Sequence, residues 1–313
     1  MPSDFPYWEH ITQRRYEGPS VIYLGGGWAL TARHVGMGEI FLAAEIYKPV
    51  PRSRRTLLNE NGRPADVMLF EIDRSAGLPD LPLLPIATEP VQPGDQVLLI
   101  GFGRGRNKVI EWEIDGETRF GFLWDETGAK RWGTNRVETA GHSVTQNEWT
   151  TFSFTFDFDE PLAARTTLFE AHAATGDSGG AVFVRRNETW MLVGMMASIS
   201  GTLERPEGTA TYGDRTYAAD LAFYRSEIHR WTRTACANEV DDDGDGEVDF
   251  PNDPGCEDLE DRDERNGRSV PEPTLLAVGM GGLGAIVAFV GWSWWQAQRG
   301  RSTPASTSSS ITR

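Results

Sequence analysis

Thr175-Gly176-Asp177-Ser178-Gly179-Gly180 sets a serine between an aspartate and two glycines, and the apolar run Ala181-Val182-Phe183-Val184 follows at once. The pattern predicts a tight loop feeding a buried strand. Glycine allows positive φ and lets backbone N–H groups approach a ligand closely. Acyl transfer needs that arrangement: a nucleophilic hydroxyl beside N–H groups that hold a developing oxyanion. The hydroxyl also needs a base. Upstream, Thr31-Ala32-Arg33-His34-Val35 follows an apolar strand from Val21 to Leu30. Ala65-Asp66-Val67-Met68-Leu69-Phe70 sets an aspartate at the mouth of another. Singly, each has an ordinary reading: a turn, a packed core histidine, a strand-edge carboxylate. Asp73, at the far end of the second strand, competes with Asp66.

The order His34, Asp66, Ser178 resembles that of the trypsin-like (chymotrypsin-fold) serine peptidases. Leu30-Thr31-Ala32-Arg33-His34 is similar to that family's Leu-Thr-Ala-Ala-His, and Asp66-Val67-Met68-Leu69 to its Asp-Ile-Ala-Leu. Gly176 to Gly180 matches its nucleophile loop without a gap. The resemblance covers about residues 15 to 235. It implies that Ser178 is the nucleophile, His34 its base and Asp66 the group that orients His34, with Gly176 and Ser178 N–H as the oxyanion hole. It also places His172, six residues before the nucleophile, at the base of the primary specificity pocket, with Ala197, Ser198 and Ile199 on its wall. A histidine there disfavours selection of Lys or Arg and favours acidic or polar side chains. In many relatives the aspartate at position 177 pairs with a new N-terminus that begins Ile-Val-Gly-Gly. No such start is present, so activity is constitutive or Asp177 finds another partner.

Positioning these groups takes many short strands. The chain has 313 residues, 34 of them glycine, enough for a two-lobed catalytic domain plus an appendage. Strands are expected at 20–24 and 28–31, around Gly25-Gly26-Gly27, and at 39–47 and 67–72. Arg52, Arg54 and Arg55 read as a solvated loop. Residues 78–93 carry five prolines and read as an extended crossover between two lobes. Further strands are expected at 96–101, 109–114, 119–124 and 135–140. Gly101-Phe102-Gly103-Arg104-Gly105 reads as a strand end and hairpin, because no Lys-Ser/Thr or helical pattern follows it. Phe152, Phe154, Phe156 and Phe158 alternate with polar residues, the mark of a strand with one buried face. Strands at 181–185, 190–197 and 217–221 precede a helix at 223–234, which the family resemblance also implies. His10, His142 and His229 lack any such context and read as surface or structural.

Net charge is −16, yet residues 236–266 hold 14 of the 46 acidic residues against two arginines. The acidity therefore belongs to one module. No basic stripe is present, so no nucleic-acid partner is expected. Both cysteines, Cys236 and Cys256, lie in the module, and in an exported chain they form one disulfide. Within it, Asp241-Asp242-Asp243-Gly244-Asp245-Gly246-Glu247-Val248-Asp249 resembles the start of a calcium loop. Asp241, Asp243, Asp245 and Asp249 would be ligands with the Glu247 carbonyl, and Gly246 would make the turn. Position twelve is Asn252 rather than glutamate, so the module resembles a small extracellular calcium repeat, such as thrombospondin type 3, more than an EF-hand. An acidic linker is the alternative.

Residues 274–295 carry no charge and would span about 33 Å as a helix at ~1.5 Å per residue. Trp292, Trp294 and Trp295 suit a membrane interface, and Arg299 and Arg301 place the C-terminus inside. With Val270-Pro271-Glu272-Pro273 before the span, the order resembles the PEP-CTERM sorting signal of Gram-negative bacteria, which implies an exosortase-type processing partner. The Ser/Thr-rich extension 302–313 departs from that pattern. No signal peptide is visible at the start of the chain.

The expected architecture is all-β: two packed six-stranded antiparallel β-barrels with a C-terminal helix (1–235), an acidic calcium-loop-like stalk (236–268), and a sorting segment with one transmembrane helix (269–313). The expected function is an exported, surface-anchored serine endopeptidase acting on protein or peptide, with no cofactor for catalysis and calcium in the stalk. The alternative is a catalytically silent surface-binding or calcium-dependent matrix protein on a peptidase fold.

Overall fold

The computed structural model describes residues 1–15, 18–201 and 205–266. Seven short strands come first: β1 (Ile11–Arg14), β2 (Ser20–Gly25), β3 (Trp28–Thr31), β4 (Ile40–Leu42), β5 (Glu45–Tyr47), β6 (Arg55–Leu58) and β7 (Pro64–Glu71). They form one antiparallel sheet in the order β5-β4-β1-β2-β3-β7-β6. The rest of the strands are β8 (Gln96–Gly101), β9 (Arg104–Ile114), β10 (Glu117–Gly128), β11 (Arg131–Arg136), β12 (Thr139–Gln146), β13 (Trp149–Asp157), β14 (Ala181–Arg186), β15 (Thr189–Ser200), β16 (Thr209–Ala210) and β17 (Arg215–Asp220). Seven of these make a second antiparallel sheet, β11-β8-β14-β15-β17-β13-β12, and three make a small sheet, β16-β10-β9. One helix, α1 (Arg225–Thr232), follows.

The two lobes thus hold seven-stranded sheets, not six-stranded barrels. One extra strand arises where a single strand was expected over 39–47. Ala43 and Ala44 take positive φ of 50° and 67° there, so the chain folds back and splits it into β4 and β5. The stretch 135–140 is likewise divided, between β11 and β12. The β9–β10 hairpin turns at Asp115-Gly116, both at positive φ, and extends well beyond the expected 109–124.

Period-two alternation builds three apolar cores. On β7, Met68 and Phe70 point into the first lobe, whereas Ala65, Val67 and Leu69 point into a core shared with the second. On β8, Val97 and Leu99 fill the second lobe, whereas Leu98 and Ile100 face the shared core. On β14, Val182 and Val184 do the first and Ala181 and Phe183 the second. Each fully buried Leu, Val or Phe contributes about 1.5–3 kcal/mol. The shared core therefore packs the two sheets together, with the loop at 175–180 leading directly into β14. On β13, Phe154 and Phe156 are buried as the alternation predicts, but Thr151, Ser153 and Thr155 are buried too. Their hydroxyls are paired: Ser153 donates to the Thr151 carbonyl, and Thr155 bonds Thr139 across the strand pair.

The proline-rich crossover runs extended beside β15, with Ala87 N–H donating to Leu192 and Leu192 N–H to Pro85. Residues 236–266 pack on α1 rather than standing off as a stalk. Arg225 and Arg233 both pair with Glu239, and Arg230 lies 3.7 Å from Asp242. Among the described residues no helix is long and apolar enough to cross a membrane. The expected span at 274–295, with the sorting motif, lies outside the described residues.

Candidate active site

His34 lies just past the end of β3 and Asp66 within β7, so the hydrogen bonds between these neighbouring strands bring them together. Asp66 is 1% exposed, and both of its oxygens go to His34. Oδ1 accepts from the His34 backbone N–H at 2.9 Å, and Oδ2 meets Nδ1 at 2.7 Å. A carboxylate can only accept, so Nδ1 carries the proton and Nε2 of the neutral ring is left as the base. Asp66 is itself anchored, because its N–H donates to Thr151 Oγ1 on β13, at 2.9 Å. The competing Asp73 is exposed and caps Ser75.

Ser178 sits in the loop before β14, partly buried. Among the described residues its hydroxyl makes no hydrogen bond, to His34 or any other group. The loop around it is closely tied. The Thr175 carbonyl accepts from Arg104 N–H at 3.0 Å. In a trans peptide the C=O and N–H point oppositely, so the Gly176 N–H faces away from Arg104. The Gly176 carbonyl accepts from Ser20 twice, from N–H at 3.1 Å and from Oγ at 3.0 Å. No acceptor among the described residues takes the N–H of Gly176 or Ser178, the two donors expected to hold an oxyanion. Gly179 could be no other residue: its φ is +86°, and a Cβ there would lie 2.1 Å from the Ser20 carbonyl oxygen.

Asp177 has the partner that the missing Ile-Val-Gly-Gly start leaves open. Its Oδ1 accepts from Gly103 N–H at 2.7 Å and its Oδ2 from Ala174 N–H at 2.9 Å. Burial pushes its carboxyl up to about 6, against the lowering effect of those two N–H bonds and of Arg131. Gly101 and Gly103 are glycines because this carboxyl fills the space a side chain would need; a Cβ on either would come within 2.1 Å of an Asp177 oxygen.

His172 borders a cavity of about 280 Å³ behind this loop, with Gly103, Asp177 and Met196. Burial pushes His172 down to about 4, so it is neutral at pH 7. Phe158 packs on its ring at 4.7 Å. Ala197, Ser198 and Ile199, expected across from His172, do not line this cavity. They lie on β15, where Ala197 is buried at a bulge and Ser198 Oγ accepts from Gln146.

In the acidic module Cys236 and Cys256 form the disulfide. The carboxylates of Asp241, Asp243 and Asp245 converge, with one oxygen of each within 4.8 Å of the others. No cationic side chain among the described residues pairs with them, and an all-oxygen set suits a hard cation such as calcium. Gly244 and Gly246 N–H donate to Asp241, and Glu247 N–H to Asp245. Asp249 is not with them; its oxygens accept from Asn238 and Glu239 N–H.

Sequence reasoning missed Ser20. It is fully buried, accepts from Phe102 N–H at 2.8 Å and donates to Gly176, so it joins β2, the end of β8 and the nucleophile loop. The available signal was a small polar residue opening an otherwise apolar strand. Arg33 was also passed over. It stacks on Trp149 at 5.0 Å, pairs with Glu148 at 3.2 Å and flanks His34.

No protein-family model and no curated protein matches the chain. Solved structures with a similar strand arrangement include kallikrein-related peptidase 10 in complex with zinc, at a TM-score of 0.44 and 14% identity over 74% of this chain and 98% of that one. The MamO protease domain of Magnetospirillum magneticum gives 0.41 and 14% over 71% and 97%. The inactive Ser343Ala form of Rv3671c from M. tuberculosis H37Rv gives 0.41 and 13% over 71% and 86%. None of these reaches a TM-score of 0.5, so the case for chemistry rests on the side chains of the site.

Proposed function

We propose that this chain is an exported serine endopeptidase, held at the cell surface by its C-terminal segment, that cleaves protein or peptide substrates. The supporting observation is the pairing of His34 with a buried Asp66 that spends both oxygens on it, together with a loop whose Gly176 and Ser178 N–H groups meet no acceptor among the described residues. In the reaction Ser178 Oγ attacks the peptide carbonyl carbon while His34 Nε2 takes its proton. The carbonyl oxygen becomes an oxyanion facing Gly176 and Ser178 N–H. The C–N bond then breaks, and His34 returns the proton to the leaving amine. Water, deprotonated by His34, hydrolyses the acyl-serine and restores Ser178. Asp66 keeps the tautomer and stabilises protonated His34.

A pocket bordered by a neutral His172 supports acidic or polar side chains over Lys or Arg. The converging Asp241, Asp243 and Asp245 support calcium in the acidic module, where the ion would supply only structure. Export through a PEP-CTERM-like signal, exosortase-type processing and membrane anchoring rest on the sequence of 270–301. The missing hydrogen bond at Ser178 favours a second reading, a binding protein on a peptidase fold. Apo sites often tighten only with substrate, which keeps the enzyme ahead.

The test is fluorophosphonate labelling of the detergent-solubilised full chain, mapped by mass spectrometry. An adduct on Ser178 that vanishes in Ser178→Ala and His34→Ala is expected. A folded protein that takes no adduct would replace the enzyme by the binding protein.

A further inference from the structure

We propose that Lys130 is a positioning residue for the nucleophile loop: it fixes the Phe102-Gly103 link between β8 and β9, on which that loop rests, to the segment ahead of β1. The service to catalysis rests on the peptidase reading; the mechanical link does not.

Residues 129–131, between β10 and β11, serve two partners. Ala129 N–H and Arg131 Nη1 both donate to the Gly103 carbonyl, at 3.3 and 3.1 Å. Lys130, between them, goes elsewhere. Its ammonium donates to the Trp8 carbonyl at 2.5 Å and lies 4.4 Å from the centre of the Trp8 ring and 5.8 Å from that of Phe102. Burial pushes this ammonium down to about 8, against the raising effect of Glu9, so it is charged at pH 7. A cation taken out of water and set over an aromatic face is held more firmly than an exposed one.

Both ends of the link are fixed. Phe5 and Tyr7 are buried, and both pack on Phe183 of β14, with ring centres 4.8 and 6.0 Å away. His10 Nδ1 donates to the Tyr23 carbonyl of β2 at 2.7 Å. The segment ahead of β1 therefore grips both lobes. At the other end, Phe102 N–H donates to Ser20 Oγ and Gly103 N–H to Asp177 Oδ1. A Cβ on Gly176 would meet the Phe102 carbonyl oxygen and Gly103 Cα, each at 3.2 Å. The nucleophile loop thus rests on Phe102 and Gly103, these on residues 129–131, and Lys130 on Trp8. Lys130 takes a backbone carbonyl, not a terminal amine, so the contact needs no newly cut N-terminus.

Hydrogen–deuterium exchange of the solubilised full chain tests the link, and fluorophosphonate labelling tests its use. Lys130→Met keeps an apolar stem beside both rings but loses the donor and the charge; Lys130→Arg keeps them. Lys130→Met should raise exchange of the Phe102 and Gly103 amides and lower the limiting rate of Ser178 labelling, each ~10-fold, the value of one charge-assisted hydrogen bond. The half-saturating probe concentration should not change, and Lys130→Arg should restore both readings. Exchange within β3 and β7, beside His34 and Asp66, should stay as it is, which a general loss of stability would not allow. Trp8→Leu, which removes the ring and keeps the carbonyl, should give a smaller rise at the same two amides and decides the matter if Lys130→Met does not fold. No rise at Phe102 and Gly103, an equal rise in β3 and β7, or no rescue by Lys130→Arg would overturn the proposal. An unaltered chain that takes no adduct would sink the peptidase reading alone, because exchange still decides the link.

Discussion

The two halves of the site are held by different means. His34 and Asp66 come from adjacent strands of one sheet and are bonded to each other twice, so their geometry is complete before anything binds. Ser178 comes from a loop, makes no side-chain bond among the described residues, and takes its place from what grips its neighbours: Ser20 on Gly176, Gly103 and Ala174 on Asp177, Arg104 on Thr175. The first half is built by pairing, the second by tethering. On the peptidase reading, a tethered nucleophile leaves its N–H donors and hydroxyl free for a substrate, whereas a paired base and orienting acid have nothing left to rearrange.

Breaking the paired half should have the largest effect. Asp66→Asn keeps the shape but can fix the wrong tautomer of His34, and the same exchange in a Ser-His-Asp protease lowers kcat by about 10⁴. A comparable fall in the rate of Ser178 labelling is expected, with circular dichroism unchanged. A control outside both halves comes next. Removing the disulfide with Cys236→Ser and Cys256→Ser opens a loop of 20 residues and should destabilise the acidic module by about 3 kcal/mol. Faster proteolysis within 236–266 with unaltered Ser178 labelling would show that the module and the site are independent.

The tethered half should respond in smaller steps. Ser20→Ala leaves the partly buried Phe102 N–H without its acceptor and removes one of the two donors to Gly176, so a loss of about 1–3 kcal/mol in denaturant unfolding is expected. Labelling should slow as well, with the His34–Asp66 bonds intact by proton NMR of the imidazole. The smallest effect is one of pH. Asp177 is raised to about 6 when folded, above its ordinary 3.8, so between those values the folded state binds more protons than the unfolded one. Its contribution to stability is therefore largest at low pH and declines as pH rises toward and past about 6. Asp177→Asn should flatten that part of the stability profile; an unchanged slope would mean that Asp177 is not the group responsible.

The paired half was also the more legible in the sequence. Singly, His34 and Asp66 have ordinary readings; what makes them legible is the family-like motif around each, beside an apolar strand whose alternation is written in every second residue. The tethers were not legible. Ser20 and Gly176 are 156 residues apart, and nothing in either residue type names the other. Gly101 and Gly103 were read as a hairpin; that they are hollowed out around the Asp177 carboxyl needs three dimensions. The strand count failed at Ala43-Ala44, where two alanines adopt a backbone that usually belongs to glycine. Of the Asp-rich motif, the carboxylates of Asp241, Asp243 and Asp245 converge, whereas Asp249 is taken by the backbone of Asn238 and Glu239.

The bond from Ser20 to Gly176 also orders events in time. During synthesis the strands up to Glu71 can leave the ribosome and begin to pair, with His34 and Asp66 already side by side. The hydroxyl that will shape the nucleophile loop then waits in β2. It accepts from Phe102 N–H once the end of β8 is made, and it donates to Gly176 only when that residue emerges, 156 residues after Ser20. On the peptidase reading the chain therefore cannot arm itself early: the nucleophile loop, with β14, β15 and β17 of the second sheet, is made only after every strand of the first sheet, and a truncated product that ends before Ser178 has no nucleophile to turn on nearby proteins.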